Sequence, residues 1–255
     1  IFLNNELYKI HKNSYYLEQN TMLFKSLNFE ELIKKDANYG LIKGSAGFIT
    51  ACCKFYELKQ DKKVLNLALK AADHLINNQY RDKNGIGWRI ASEKPLSGMG
   101  HGASGFIMAF LNLYIITGNN KYLKIIGDII SYENSLFSEE YKNWKDIRKF
   151  VLKRNPDRTI CSTAWSHGAG GIGLSRLELV KNDILKDVSN NDLQTAIETT
   201  IKTGFNKSNN LIFGNFGNLE LLINYLEIFE DKKREKEYNR ILNTLLSDIQ
   251  RNGWH

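Results

Sequence analysis

The sequence predicts an all-α fold in which helical hairpins repeat around a ring. Three observations carry the prediction. Turns of the form G-x-x-G recur at Gly44, Gly102, Gly168 and Gly214, with these first glycines 58, 66 and 46 residues apart. Each opens a mostly apolar run with a second helical run behind it, the pattern of one helix buried on most sides and a partner with one wet face. Strand patterns are sparse, and with two prolines in 255 residues little interrupts helices. A helix pair repeating at roughly 50 residues reads as a solenoid or a closed α/α ring, each pair burying its apolar face against the next.

Residues 4 to 36 place Leu7, Ile10, Tyr15, Leu17 and then Leu27, Phe29, Leu32 and Ile33 at helical intervals, with Asn28 positioned to cap the second helix. This reads as an outer helix plus a connection. After the first turn, Phe48 to Leu58 is apolar nearly all round, and Val64 to Ile76 is amphipathic: an inner helix and its outer partner. The second unit repeats this with Phe106–Tyr114 inside and Lys121 to Phe137 outside, entered through Gly118-Asn119-Asn120. The third has Ile172–Leu179 inside and an outer helix from about Leu193 to Phe205; the fourth has Leu219 to Phe229 with Tyr238 to Ile249 behind it. In the stretch Thr163 to Gly173 the glycines should permit positive φ and close backbone approach, with Trp165 as an apolar anchor. The chain lacks a starting Met and stops at Asn252-Gly253-Trp254-His255, where another turn is due, so residues 1–255 read as part of a larger protein.

A 42% apolar content can supply a sizeable core, and no run is long and apolar enough for a transmembrane helix. The first residues do not read as a signal peptide, so a cytoplasmic location is the default. Adjacent Cys52 and Cys53 suit helix packing better than a disulfide, and weakly imply a reducing compartment. The net charge is +7, but Lys and Glu are mixed along the helices, which argues against nucleic acid binding.

With the turns in view, the chain resembles the lanthionine synthetase C-like family, and within it the cyclase domain of class II lanthipeptide synthetases. Gly98-Met99-Gly100-His101-Gly102-Ala103-Ser104-Gly105 is similar to the family's G-x-x-H-G-x-x-G; Trp165-Ser166-His167-Gly168-Ala169-Gly170-Gly171-Ile172 is similar to its W-C-H-G-x-x-G-I. Gly214 to Glu220 resembles the stretch after the family's C-H-G, and Tyr39 to Gly47 fits the D-x-I-x-G-x-A-G turn less well. The resemblance covers almost the whole chain, in order. It implies an α/α toroid of seven helical hairpins, about four of them here, and an enzyme that adds cysteine thiols of a precursor peptide to dehydrated Ser or Thr.

In the family a zinc ion held by two cysteines and a histidine binds and activates the thiol. At the matching positions this chain has Ser166, Ile212 and Phe213, so the resemblance implies that zinc, and any other cofactor, is absent. The aspartate of the first turn reads Gly40, and an arginine four residues before the first zinc cysteine reads Ser162. His101 matches the family's general acid, and His167 the neighbour of that cysteine; both are candidate catalytic residues.

Plainer readings stand beside these. His101 is otherwise a helix N-terminal histidine satisfied by backbone, and His167 a structural one. Cys161 is a thiol relay or a buried structural thiol, and a displaced metal site from Cys161, His167 and Cys52 or Cys53 has no zinc-like spacing to recommend it. Trp165, Phe213 and Phe216 pack the inner ring or floor a peptide site. The Arg148-Lys149, Lys153-Arg154 and Arg158 cluster is a solvated face or a contact for an acidic leader peptide. Two functions are compatible with this: a cyclase working without zinc, or a degenerate cyclase domain that binds the precursor or braces a dehydratase domain. An α/α-ring glycosidase or epimerase is disfavoured, since no carboxylate pair marks the turns and Glu220 and Asp128 have no evident partner.

Overall fold

A computed structural model describes residues 1–90, 92–205 and 208–254; the terminal His255 lies outside them. Each G-x-x-G turn opens a helix: α4 (Ser45–Lys59), α6 (Ala103–Thr117), α9 (Ala169–Lys181) and α11 (Asn215–Leu226). Each packs against the helix beyond its own C-terminal loop: α5 (Lys62–Asn77), α7 (Lys121–Asn134), α10 (Lys186–Thr203) and α12 (Lys232–Asn252). The first four also touch one another in series, α4 to α6, α6 to α9 and α9 to α11. They form the inner layer of the predicted arc.

The N-terminal segment differs from the expected single outer helix and connection. It forms α1 (Phe2–His11), α2 (Tyr15–Ser26) and α3 (Phe29–Lys35). Helix α1 packs on inner helix α4, and the buried Asn5 donates to the Ala51 carbonyl at 3.4 Å. Asn28 caps α3 as its position predicts, accepting from Glu31 N–H at 3.2 Å.

Three boundaries move. The third outer helix starts at Lys186, seven residues before the apolar pattern begins, the fourth starts at Lys232, and the second stops at Asn134. Two antiparallel hairpins lead from outer helices toward the next turn: β1 (Tyr80–Asp82) with β2 (Gly85–Gly87), and β3 (Phe137–Ser138) with β4 (Asn143–Trp144). The buried Trp88 directly follows β2, and the buried Trp144 is part of β4.

The larger core joins α4 to α7, with Trp88 stacked on Phe106 at a centroid distance of 4.1 Å; a second gathers α9 to α12 around Leu177, Leu193 and Leu221. Each fully buried aliphatic or aromatic side chain contributes about 1.5–3 kcal/mol. Cys52 and Cys53 are buried in the first core, as helix packing predicts, and burial raises both thiols, Cys53 to about 12.

Candidate functional site

The turns meet one another at the N-terminal ends of the inner helices. Gly100 N–H donates to the Ser166 carbonyl at 3.1 Å, and Ser166 N–H to the Ile212 carbonyl at 3.0 Å, linking the second, third and fourth turns in line. Gly98 lies at φ +94, where a Cβ would stand 2.8 Å from the His167 Cα, so its glycine supplies both conformation and close approach. Positive φ also holds at Gly168, whereas Gly44, Gly102 and Gly214 are extended (φ −144, −114 and −117). There the backbone of the preceding loop leaves no room for a Cβ.

Polar groups behind the turns hold them in place. Asp36 accepts from Ser45 N–H at 2.7 Å and from its hydroxyl at 2.6 Å. Glu133, fully buried at the end of α7, accepts from Gly98 N–H at 2.9 Å and Ser104 N–H at 3.2 Å, and pairs with the fully buried Arg176 of α9 at 2.9 Å. Arg176 also reaches Asp192 at 2.8 Å. Asn143 Oδ1 accepts from Ala169 N–H at 3.1 Å, capping α9.

His167 is buried, and its Nδ1 lies 2.9 Å from the Ser166 hydroxyl. Its Nε2 is buried with no hydrogen-bond partner among the described residues, and Phe213 lies nearly parallel to the ring at 6.3 Å. Burial lowers its pKa to about 4; nearby Arg148 and His101 add to this, while Asp146 opposes it. His101 is half-buried on the second turn, close to Gly40. Burial, then Lys43 and Arg148, hold it below the ordinary imidazole value. Burial thus biases both histidines toward the neutral form, His167 the more strongly.

The charged pair beside them was not evident in the sequence. Asp146 is buried and takes Arg148 Nε–H at 2.8 Å and the Ser162 hydroxyl at 2.8 Å. Burial alone would raise its carboxyl, but these hydrogen bonds outweigh that and lower it. Ser162 thus stands where the family resemblance places an arginine, and the guanidinium of Arg148 reaches the same carboxylate from another segment.

The concave side of the inner layer encloses a cavity of about 600 Å³. Leu41, Ile42, Met99 and Trp165 line its turn end; Thr50, Met108, Leu174, Leu177, Glu178 and Glu220 line its walls. Its lining does not include His101 or His167, which sit among the turns. Trp165 therefore faces a cavity, whereas Phe213 is 54% exposed, against the expectation that it packs the inner ring. Phe216 does pack, within the second core and against Trp254 at 5.1 Å. Burial raises the Glu220 carboxyl, and Asp128 pairs with Arg81 at 2.9 Å on the outer side.

The three positions matching the family's zinc ligands meet here, but their donor chemistry does not fit the ion. The Ser166 hydroxyl is engaged with His167, and Ile212 and Phe213 have no side-chain donor atom. Among the described residues no group of three or more His, Cys, Asp or Glu side chains is placed to hold a metal. Cys161, its Sγ 3.9 Å from the Asn143 carbonyl and its thiol raised by burial to about 11, is not brought together with Cys52, Cys53 and His167.

The family profile described as lanthionine synthetase C-like protein matches residues 1–255. The chain belongs to this family. It is 31% identical over 188 residues to the lacticin 481/lactococcin biosynthesis protein of Lactococcus lactis subsp. lactis, an overlap of 68% of this chain and 19% of that protein. The chain thus spans about a fifth of the relative's length. Among solved structures, nisin cyclase superposes with a TM-score of 0.64 at 18% identity, covering 95% of this chain and 63% of that one. A cellobiose 2-epimerase from Bacillus thermoamylovorans gives 0.65 at 15% identity over 96% of this chain and 74% of its own. A GH76 α-1,6-mannanase from a Salegentibacter species gives 0.62 at 12%, covering 98% and 78%. These likenesses show the α/α toroid fold. No helix among the described residues is long and apolar enough to cross a membrane.

Proposed function

We propose that this chain is the thioether-forming part of a lanthipeptide-modifying enzyme, acting in the cytoplasm on a precursor peptide and without zinc. What carries the reading is His101: a half-buried imidazole kept neutral within the turn that the family uses for its general acid. In the reaction the thiol S–H adds across the C=C bond of a dehydrated Ser or Thr residue. A neutral imidazole can take the thiol proton, the thiolate attacks the β-carbon, and the imidazolium returns the proton to the α-carbon, so the residue is regenerated. The cavity beside this turn, whose lining includes Met99 two residues before His101, offers a surface to hold the peptide that carries the reacting residues. His167 lies next to Ser166 on the third turn, its Nδ1 2.9 Å from the Ser166 hydroxyl, and steadies that turn.

The donor set favours a second reading, in which a cyclase-like domain binds the precursor or braces a dehydratase domain while ring closure happens elsewhere. Thiol alkylation with mass spectrometry separates the two, using dehydrated precursor with wild-type protein, His101→Ala and no protein, and metal quantified in each sample. Loss of free thiols with wild type, without stoichiometric zinc, falling at least about 100-fold in rate on His101→Ala, is the expected result. Closure no faster than the control, with the peptide still bound, establishes the scaffold reading.

A further inference from the structure

The segment from Asp146 to Ile160 is a loop pinned shut at its base by Asp146 N–H donating to the Ile160 carbonyl at 2.7 Å. Its helix α8 (Lys149–Arg154) is anchored by the buried Val151. The loop carries five cations against two carboxylates, and Asp146 is already taken by Arg148. Lys149, Lys153, Arg154 and Arg158 are exposed and meet no carboxylate at ion-pair distance among the described residues. Beside them Phe150 and Leu152 are each about half exposed, and the Arg148 guanidinium lies over the Phe150 ring at 4.8 Å. Two large apolar side chains thus stand exposed among the cations of one short helix.

We infer that this loop docks an acidic peptide segment carrying apolar side chains, its carboxylates met by the unpaired cations and its apolar residues by Phe150 and Leu152. Charge complementarity selects the partner's sign, and the exposed apolar pair selects a peptide over a plain polyanion. A nucleic acid duplex asks for a longer basic track than one six-residue helix. A membrane surface asks for one apolar face, whereas Phe150 and Leu152 flank the inward Val151. The base of the loop borders the third turn, Asp146 and Ile147 lining one small cleft with His167 and Gly168, so a segment bound on the loop lies next to the turns. The link from this surface to a substrate rests on the cyclase-like reading; the binding itself does not.

The test is fluorescence anisotropy with a labelled synthetic peptide alternating Glu and Asp with Leu, free of cysteine and dehydrated residues. Saturable binding should weaken with added salt. It should fall about tenfold in Lys149→Glu/Lys153→Glu/Arg154→Glu, whose circular dichroism and melting must match wild type. Phe150→Ser should cost about threefold with this probe and nothing with a probe in which Ser replaces Leu. Equal binding by the charge-reversed protein overturns the inference, as does equal competition by the Ser probe, a DNA duplex or phosphatidylserine vesicles. Since the probe undergoes no chemistry, its failure leaves the His101 experiment standing, and failure of ring closure leaves this one standing.

Discussion

The second and fourth turns share the spacing G-x-x-G and hold their helices by different means. Behind the second stands a buried carboxylate: Glu133 fixes Gly98 and Ser104 and is itself locked to Arg176, 43 residues along the chain. At the fourth, amide side chains do this: Asn209 contacts Asn215 at 2.9 Å and Asn210 accepts from Phe213 N–H at 2.8 Å, while Leu211, Ile212 and Phe213 at its tip are exposed. The backbone of a turn is thus set by groups beneath it, and the side chains at its tip are not what keeps it folded. A site can change its donors here while the scaffold persists.

The sharpest attempt to break that contrast is to write donors back in. Ser166→Cys/Ile212→Cys/Phe213→His should stay folded and bind one zinc with a dissociation constant below about 1 µM, about 8 kcal/mol, in a chelator competition. A folded variant without affinity for zinc would show that the tips have moved as well as changed. Next in size, Glu133→Ala should cost about 3–5 kcal/mol in urea unfolding, because Arg176 loses a fully buried partner and α6 its support. A loss below about 1 kcal/mol would place the strength of the second turn elsewhere.

The third turn, between them, adds a pH dependence. His167 has its folded pKa depressed from 6.5 to about 4, so the unfolded chain binds more protons between these values. Stability is full above about pH 6.5 and falls by up to about 3 kcal/mol as the pH drops toward 4. Melting curves across that range should flatten in His167→Asn, and an unchanged slope would assign the loss to other groups. Smallest of all, Phe213→Ala at the fourth tip should alter stability by no more than about 0.5 kcal/mol.

The inner and outer helices were legible because apolar residues at helical spacing are what packing uses, and the G-x-x-G turns marked where each unit began. The start of α10 was hidden because Lys186, Asp187, Ser189 and Asn190 carry no apolar stripe, although Ser189 is fully buried. The hairpins were missed because strands of two and three residues are too short to show alternation. Of the site, His101 and the replaced donors were readable from motif positions, but the Asp146–Arg148 pair and the Glu133–Arg176 pair were not. A signal for the latter existed: Glu133 continues the buried stripe of Ile126, Ile129 and Ile130, and Arg176 lies four residues after Ile172. Charges on a buried stripe must find each other. Sequence spacing gives no clue to which, because the pairing crosses between units.

The hydrogen bonds from Gly100 to Ser166 and from Ser166 to Ile212 make the turns links of one tether. A push on Ile212 is felt at Ser166 and, one link further, at the residue before His101. The turn that carries His101 is therefore joined, through two backbone hydrogen bonds, to a loop tip more than a hundred residues away in the chain.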